Sequence, residues 1–483
     1  MNRIRRLKYI SVAAIGAWAL SGTLVRAQEQ PMAPIPAIRS PLASSADNGD
    51  ADETPNSQLM TPDTRSLTGV QDLSLGTIPL SHSYWQPRLS VSGTVDSNPE
   101  FSSVSSDWGT WTTMIGGVDI HHTSGFSDML LSYSGGGMFA TGASAESGVI
   151  QELSFADRFS FRRSTFSVFE QLSYLPESSF GFAGTAGAGI PGVGSGVGLG
   201  TGFTPGESIL APRGQNLSST TAVEYDYKLS PRASLTFVGS YAMLHYFEND
   251  LADFGDTNFQ AGYNYQLTKK DTIAVSYLFG AYRYQDENQS INLNTIQGSY
   301  GRRITGRLAF QIAAGPQFVS STSPITSSTS TPSSPPTGGS QSALYWTLNA
   351  SLRYQLRRAS LNATYNHGLT GGSGVLAGAE TDIVTGSVSQ QVSRTFNVSW
   401  NAGYSRNNGF AVGTTSSAQT YSYWFTGVNV THPFGRSLDM FGNYQLQYQD
   451  NSTNGCVGSS CSSNLIRNQI AIGVQVHKQP IPF

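Results

Sequence analysis

The chain has 483 residues, 28 of them basic and 31 acidic, and only 12% are charged, about half the roughly 25% of soluble domains. No basic surplus exists to neutralise phosphates, which excludes nucleic acid as a partner. No run of ~18 apolar residues exists, which excludes a helical membrane protein. The 52 glycines, 22 tyrosines and 24 phenylalanines point instead to β structure.

In chain order, residues 1–27 read as an export signal. Arg3, Arg5, Arg6 and Lys8 precede an apolar stretch from Ile10 to Leu20, and Val25-Arg26-Ala27 suits cleavage after Ala27. Residues 28–87, rich in Pro, Ser, Ala and Asp as far as about residue 80, read as a flexible tether.

From Arg88 the pattern changes to the two-residue period of a strand. Eighteen such segments follow, at 88–96, 109–121, 126–139, 148–161, 165–175, 217–229, 232–247, 256–268, 271–284, 290–303, 306–319, 342–356, 359–367, 380–392, 395–406, 419–431, 436–448 and 464–477. In 258–267, Phe259, Ala261, Tyr263, Tyr265 and Leu267 alternate with Asn258, Gln260, Gly262, Asn264 and Gln266. The segments 344–356 and 396–404 repeat this design, and Ile466, Ile470, Ile472, Val474 and Val476 share a face. The polar faces are Asn, Gln, Ser, Thr and Gly rather than Lys and Glu, and the apolar faces begin or end with aromatic residues. The segments reach the ~9–11 residues that a tilted strand needs to cross a bilayer. The links alternate between short, such as 162–165, 229–232, 268–271 and 392–395, and long, such as 176–216, 320–341 and 449–463.

On these features the array 88–483 resembles a Gram-negative outer-membrane β-barrel of the porin type. The resemblance implies an all-β fold: one closed antiparallel transmembrane barrel of about 18 strands (16–18), with short periplasmic turns, long outer loops and both ends in the periplasm. It implies outer-membrane localisation, contact with outer-membrane lipid, and insertion by the barrel-assembly machinery. Phe483 matches the terminal aromatic of that group's assembly signal. It departs in one respect: Pro480 and Pro482 intervene, and its parity is opposite to that of Val474 and Val476.

The expected function is a channel for passive diffusion of small polar solutes. Candidate lumen residues are Asn258, Gln260, Asn264, Gln266, Asn349, Arg353, Asn397 and Asn401, and among the charges Glu152, Glu170, Glu224, Asp226 and Asp382. In porin-like barrels the third outer loop often folds inward. By that resemblance Gly181, Gly184, Gly187, Gly189, Gly192, Gly194, Gly196, Gly198, Gly200 and Gly202 mark a candidate pore constriction, with a plain surface loop as the equal alternative. Cys456 and Cys461, in an exported chain, suit a loop disulfide. Two thiols without a nearby His do not complete a metal site, and His121 and His122 point to opposite faces of a strand. No cofactor is implied, and neither a G-x-S-x-G elbow nor a convincing nucleophile–histidine pair suggests an enzyme. Export of a secreted polymer such as an exopolysaccharide, or a structural or adhesive surface role, are the other readings; homo-oligomers or a periplasmic partner held through the tether fit either.

Overall fold

A computed structural model describes residues 83–99, 108–141, 147–176, 215–247, 253–284, 289–323, 339–370, 376, 378–393, 395–409, 420–451 and 464–483. The strands are β1 Tyr84–Asp96, β2 Gly109–Thr123, β3 Ser127–Ala140, β4 Gly148–Ser160, β5 Ser164–Leu175, β6 Asn216–Ser230, β7 Ala233–Tyr246, β8 Phe254–Gln266, β9 Asp271–Tyr284, β10 Gln289–Arg303, β11 Leu308–Ser323, β12 Gly339–Gln355, β13 Ala359–Thr370, β14 Ala379–Gln391, β15 Asn397–Gly409, β16 Thr420–Pro433, β17 Leu438–Asn451, β18 Asn464–His477 and the two-residue β19 Ile481–Pro482. Each of β1 to β17 pairs antiparallel with the next, and β1 closes on β18 from Arg88↔His477 to Asp96↔Gln469. Closure gives the sheet a partner for both of its ends, the condition for crossing a membrane with strands. The expected eighteen-stranded barrel is therefore the fold.

The chain enters the wall earlier than its sequence pattern suggests. Residues 84–87, expected in the tether, pair with β2 from Tyr84↔His121 to Pro87↔Val118. Pro87 hid this, because a proline inside a run argues against a strand. Here it sits at the break between the β1–β18 ladder and the β1–β19 pairs, where no ladder donor is required of it.

Short turns at one end link β2–β3, β4–β5, β6–β7 and the later hairpins, and β1 starts and β18 ends at that same end. By the geometry of such barrels this is the periplasmic end. The two faces differ in exposure. On β18, Ile466, Ile470, Ile472, Val474 and Val476 are 37–65% exposed, whereas the alternating Arg467, Gln469, Ala471, Gln475 and His477 are at most 8% exposed. Side chains diverge on a convex surface and converge on a concave one, so the apolar set faces outward. Polar groups on the outward face find partners on the neighbouring strand: Tyr444 Oη donates to Asn468 at 3.0 Å and Trp400 Nε1 to Thr426 at 2.9 Å. In lipid each such pairing avoids an unsatisfied polar group.

Eighteen strands spaced about 4.8 Å apart and tilted about 40° close a ring of roughly 18 Å radius. The inward face is polar over much of its height, but near the long-loop end two arcs of it are apolar. Trp111, Ile115, Met138, Ile150 and Leu175 form one on β2–β5, and Leu244, Tyr246, Tyr284, Ile291, Leu293 and Val319 the other. Here the alternation of apolar outward and polar inward residues is reversed. On β10 the alternation points Ile291 and Leu293 inward, with Asn292 and Asn294 outward, in a segment that ends beyond the apolar band. The rule "apolar outside" belongs to the lipid layer and lapses above it.

Candidate functional site

The inner wall is built by side chains that reach across an intervening strand. Arg88 on β1 lies over Gly117 of β2. Its Nη2 donates to Ser134 Oγ at 2.8 Å and Ser132 Oγ at 3.2 Å on β3, and its Nε stands 3.3 Å from Asp119 Oδ2. A Cβ on Gly117 would lie 2.8 Å from Arg88 Nε and from the Tyr133 carbonyl, so only glycine seats this arginine. Gly315 acts alike: Gln297 on β10 donates over it to Thr347 Oγ1 on β12 at 2.7 Å. Such bridges between alternate strands require the concave side, and they independently identify it as the lumen wall.

The sequence candidates fall as follows. Asn258, Gln260 and Asn264 are buried on the inward face, and Gln266 continues it half-buried. Asn264 donates to Thr236 Oγ1 at 3.1 Å, and Thr236 in turn to Asp226. Asn349 and Arg353 share the inward face of Thr347; Asn397 and Asn401 share that of the buried Ser405 and Asn407. Glu152, in register with Ser134, and Glu224 and Asp226 also face inward.

Two acids do not. Glu170 is in register with Phe155 and Thr221 on the outward face and accepts hydrogen bonds from Ser219 Oγ and Thr221 Oγ1. Those two hydroxyls explain how an acid lies among apolar neighbours. Asp382 pairs in register with His367 and Arg406 and lies on the face of the exposed Val384. Its position near the start of β14 takes it clear of the band.

His121 and His122 do part to opposite faces: His121 Nε2 lies 2.7 Å from Asp128 inside, and His122 stacks on Phe483 outside, with ring centres 6.0 Å apart. Phe483 itself is brought back into phase. From His477 to Ile481 the chain takes four steps, while β1 takes three from Arg88 to Trp85. The extra residue turns Ile481 and Phe483 to the outward side, as Val474 and Val476 are, so the parity mismatch in the numbering is absorbed by a bulge. Cys456, Cys461 and the glycines from Gly181 to Gly202 lie outside the described residues.

Sequence reading missed the ionic pairs that line the wall. Arg467 meets Asp96 across the β1–β18 closure, their side chains 3% and 0% exposed. His477 Nε2 stands 3.3 Å from Asp439 Oδ2. The partners are hundreds of residues apart or on separate strands, and only the register joins them. The Gly116-Gly117 pair beside Asp119 was the visible cue for the Arg88 bridge.

A closed barrel with an outward apolar band, aromatic residues at its margins and a largely polar inner wall is a porin-like transmembrane β-barrel of the outer-membrane type, in contact with membrane lipid. No family model matches the chain, and no curated protein matches it. Among solved structures it is similar to OccAB3 of Acinetobacter baumannii (9% identity, 83% of this chain and 100% of that one, TM-score 0.38). It is also similar to OpdK of Pseudomonas aeruginosa crystallised with vanillate (9% identity, 82% and 99%, TM-score 0.38). A third is the siderophore receptor PiuA of A. baumannii (8% identity, 81% and 82%, TM-score 0.41). What the chain does is read from its own wall.

Proposed function

We propose that the barrel is a channel for passive diffusion of small hydrophilic solutes. The observation that carries this reading is the inner wall, faced largely with Asn, Gln, Ser and Thr on β8, β12 and β15; eighteen strands set a backbone ring of about 18 Å radius, wider than side chains of an eight-stranded barrel need to span. Among its charges, Arg88–Asp119 and Arg467–Asp96 lie in neighbouring pairs. Such pairs project little field across the lumen, which favours neutral solutes over strongly charged ones. The two apolar arcs are buried, down to 0% exposure at Ile150 and Ile291.

Reconstitution in a planar bilayer tests the proposal. Discrete conductance steps with weak preference between potassium and chloride are expected, together with entry of small neutral sugars into liposomes. Purified folded protein that gives neither removes the open-channel reading and returns the barrel to an export or surface role.

A further inference from the structure

The β13–β14 hairpin gathers three side chains on the outward face near the long-loop end. His367 lies three residues before the end of β13, and Glu380 and Asp382 are the second and fourth residues of β14. Asp382 Oδ1 accepts a hydrogen bond from Tyr365 Oη at 2.8 Å and lies 2.8 Å from His367 Nδ1. A carboxylate at that distance suits the tautomer with the ring proton on Nδ1, in which Nε2 carries the lone pair. The ring is clamped on its flat side by Trp346, with centres 3.9 Å apart and planes 26° apart. Its Nε2 is buried and has no hydrogen-bond partner. Glu380 Oε1 stands 3.6 Å from it, beyond a hydrogen bond.

A lone pair aimed at a carboxylate oxygen is repulsive unless a positive charge separates them. Metal–nitrogen and metal–oxygen bonds of about 2.0–2.1 Å span 3.6 Å at an angle of about 120°, within the range of a distorted tetrahedral ion. We propose that His367 Nε2 and Glu380 bind a divalent transition-metal ion of the zinc type. Asp382 is the positioning residue that sets the tautomer, the carboxylate–histidine–metal arrangement of known sites. Arg406 is in register with Asp382 from β15. No cluster of three His, Cys, Asp or Glu donors exists among the described residues. The protein therefore supplies two ligands, and water or an external donor completes the shell. An imidazole with a single carboxylate disfavours calcium and magnesium, which take oxygen donors. The site faces away from the lumen and does not depend on the channel reading.

The test uses the untagged full barrel, folded in detergent and freed of metal by chelation. Zinc titrated calorimetrically should bind at one ion per chain with micromolar affinity. H367Q and E380Q should each weaken it at least tenfold while keeping the heat-modifiable mobility of a folded barrel. Copper(II) in place of zinc should show one coordinated nitrogen by electron paramagnetic resonance, lost in H367Q. E380Q leaves the Trp346 stack and the Asp382 contact in place, so it decides the matter if H367Q fails to fold. Wild-type protein that takes up no zinc, or affinity unchanged in E380Q, overturns the proposal, as does a copper–nitrogen signal that survives H367Q.

Discussion

Replacing Arg467 by Met should weaken the barrel at the line where its first and last long strands meet. Arg467 Nε and Nη2 both lie 2.5 Å from Asp96 Oδ2, and the two side chains are 3% and 0% exposed. Asp96 Oδ1 accepts the Asn98 backbone N–H at 2.9 Å, and that bond survives the substitution. Removing one member of a buried ion pair costs ~3–5 kcal/mol. With Oδ1 still bonded, the lower end applies, about 3 kcal/mol, or more than a hundredfold in the unfolding constant. Urea unfolding in lipid vesicles, followed by tryptophan fluorescence and extrapolated linearly, should show this loss with an unchanged slope. The double variant D96N/R467M removes the Asp96 charge as well and should recover at least half of the loss. A loss below about 1 kcal/mol for R467M would refute the reasoning, as would a double variant whose cost equals the sum of the singles.

Two further outcomes follow from particular positions. Gly315→Ala should cost about 1–3 kcal/mol, since the new Cβ would meet the Ile296 carbonyl oxygen at 1.8 Å, whereas Gly239→Ala, with nothing within 4 Å, should be near neutral; equal midpoints for both would remove the seat role of Gly315. Deleting Gln479 takes out the extra step between His477 and Ile481 and should turn Phe483 inward. Insertion into the outer membrane, scored by heat-modifiable mobility, should then drop about as far as in Phe483→Ala, and wild-type insertion of the deletion alone would show that facing is immaterial.

The strands were legible because lipid on one side and water on the other impose a strict two-residue period, as in Asn258 to Leu267. Legibility failed where that contrast fades. At the long-loop end of β10, Asn292 and Asn294 face outward beyond the band, and the same period carries the opposite meaning. Glu170 reads as a lumen residue because its hydroxyl partners on the outward face, Ser219 and Thr221, lie on β6 across a long connection. The Arg88 bridge and the His367 group were invisible for the same reason: register, not local pattern, sets which residues meet. Phe483 was misjudged because counting residues assumes no bulge, and there is one.

The ladder between β12 and β13 runs for eight pairs, from Leu348↔His367 to Gln355↔Ser360, against sixteen between β11 and β12. A cylinder resists ovalisation only as well as its shortest row of rungs, so this line is a natural crease. Bending of the rim should concentrate there, and amide hydrogen exchange in β12 should quicken abruptly above Leu348.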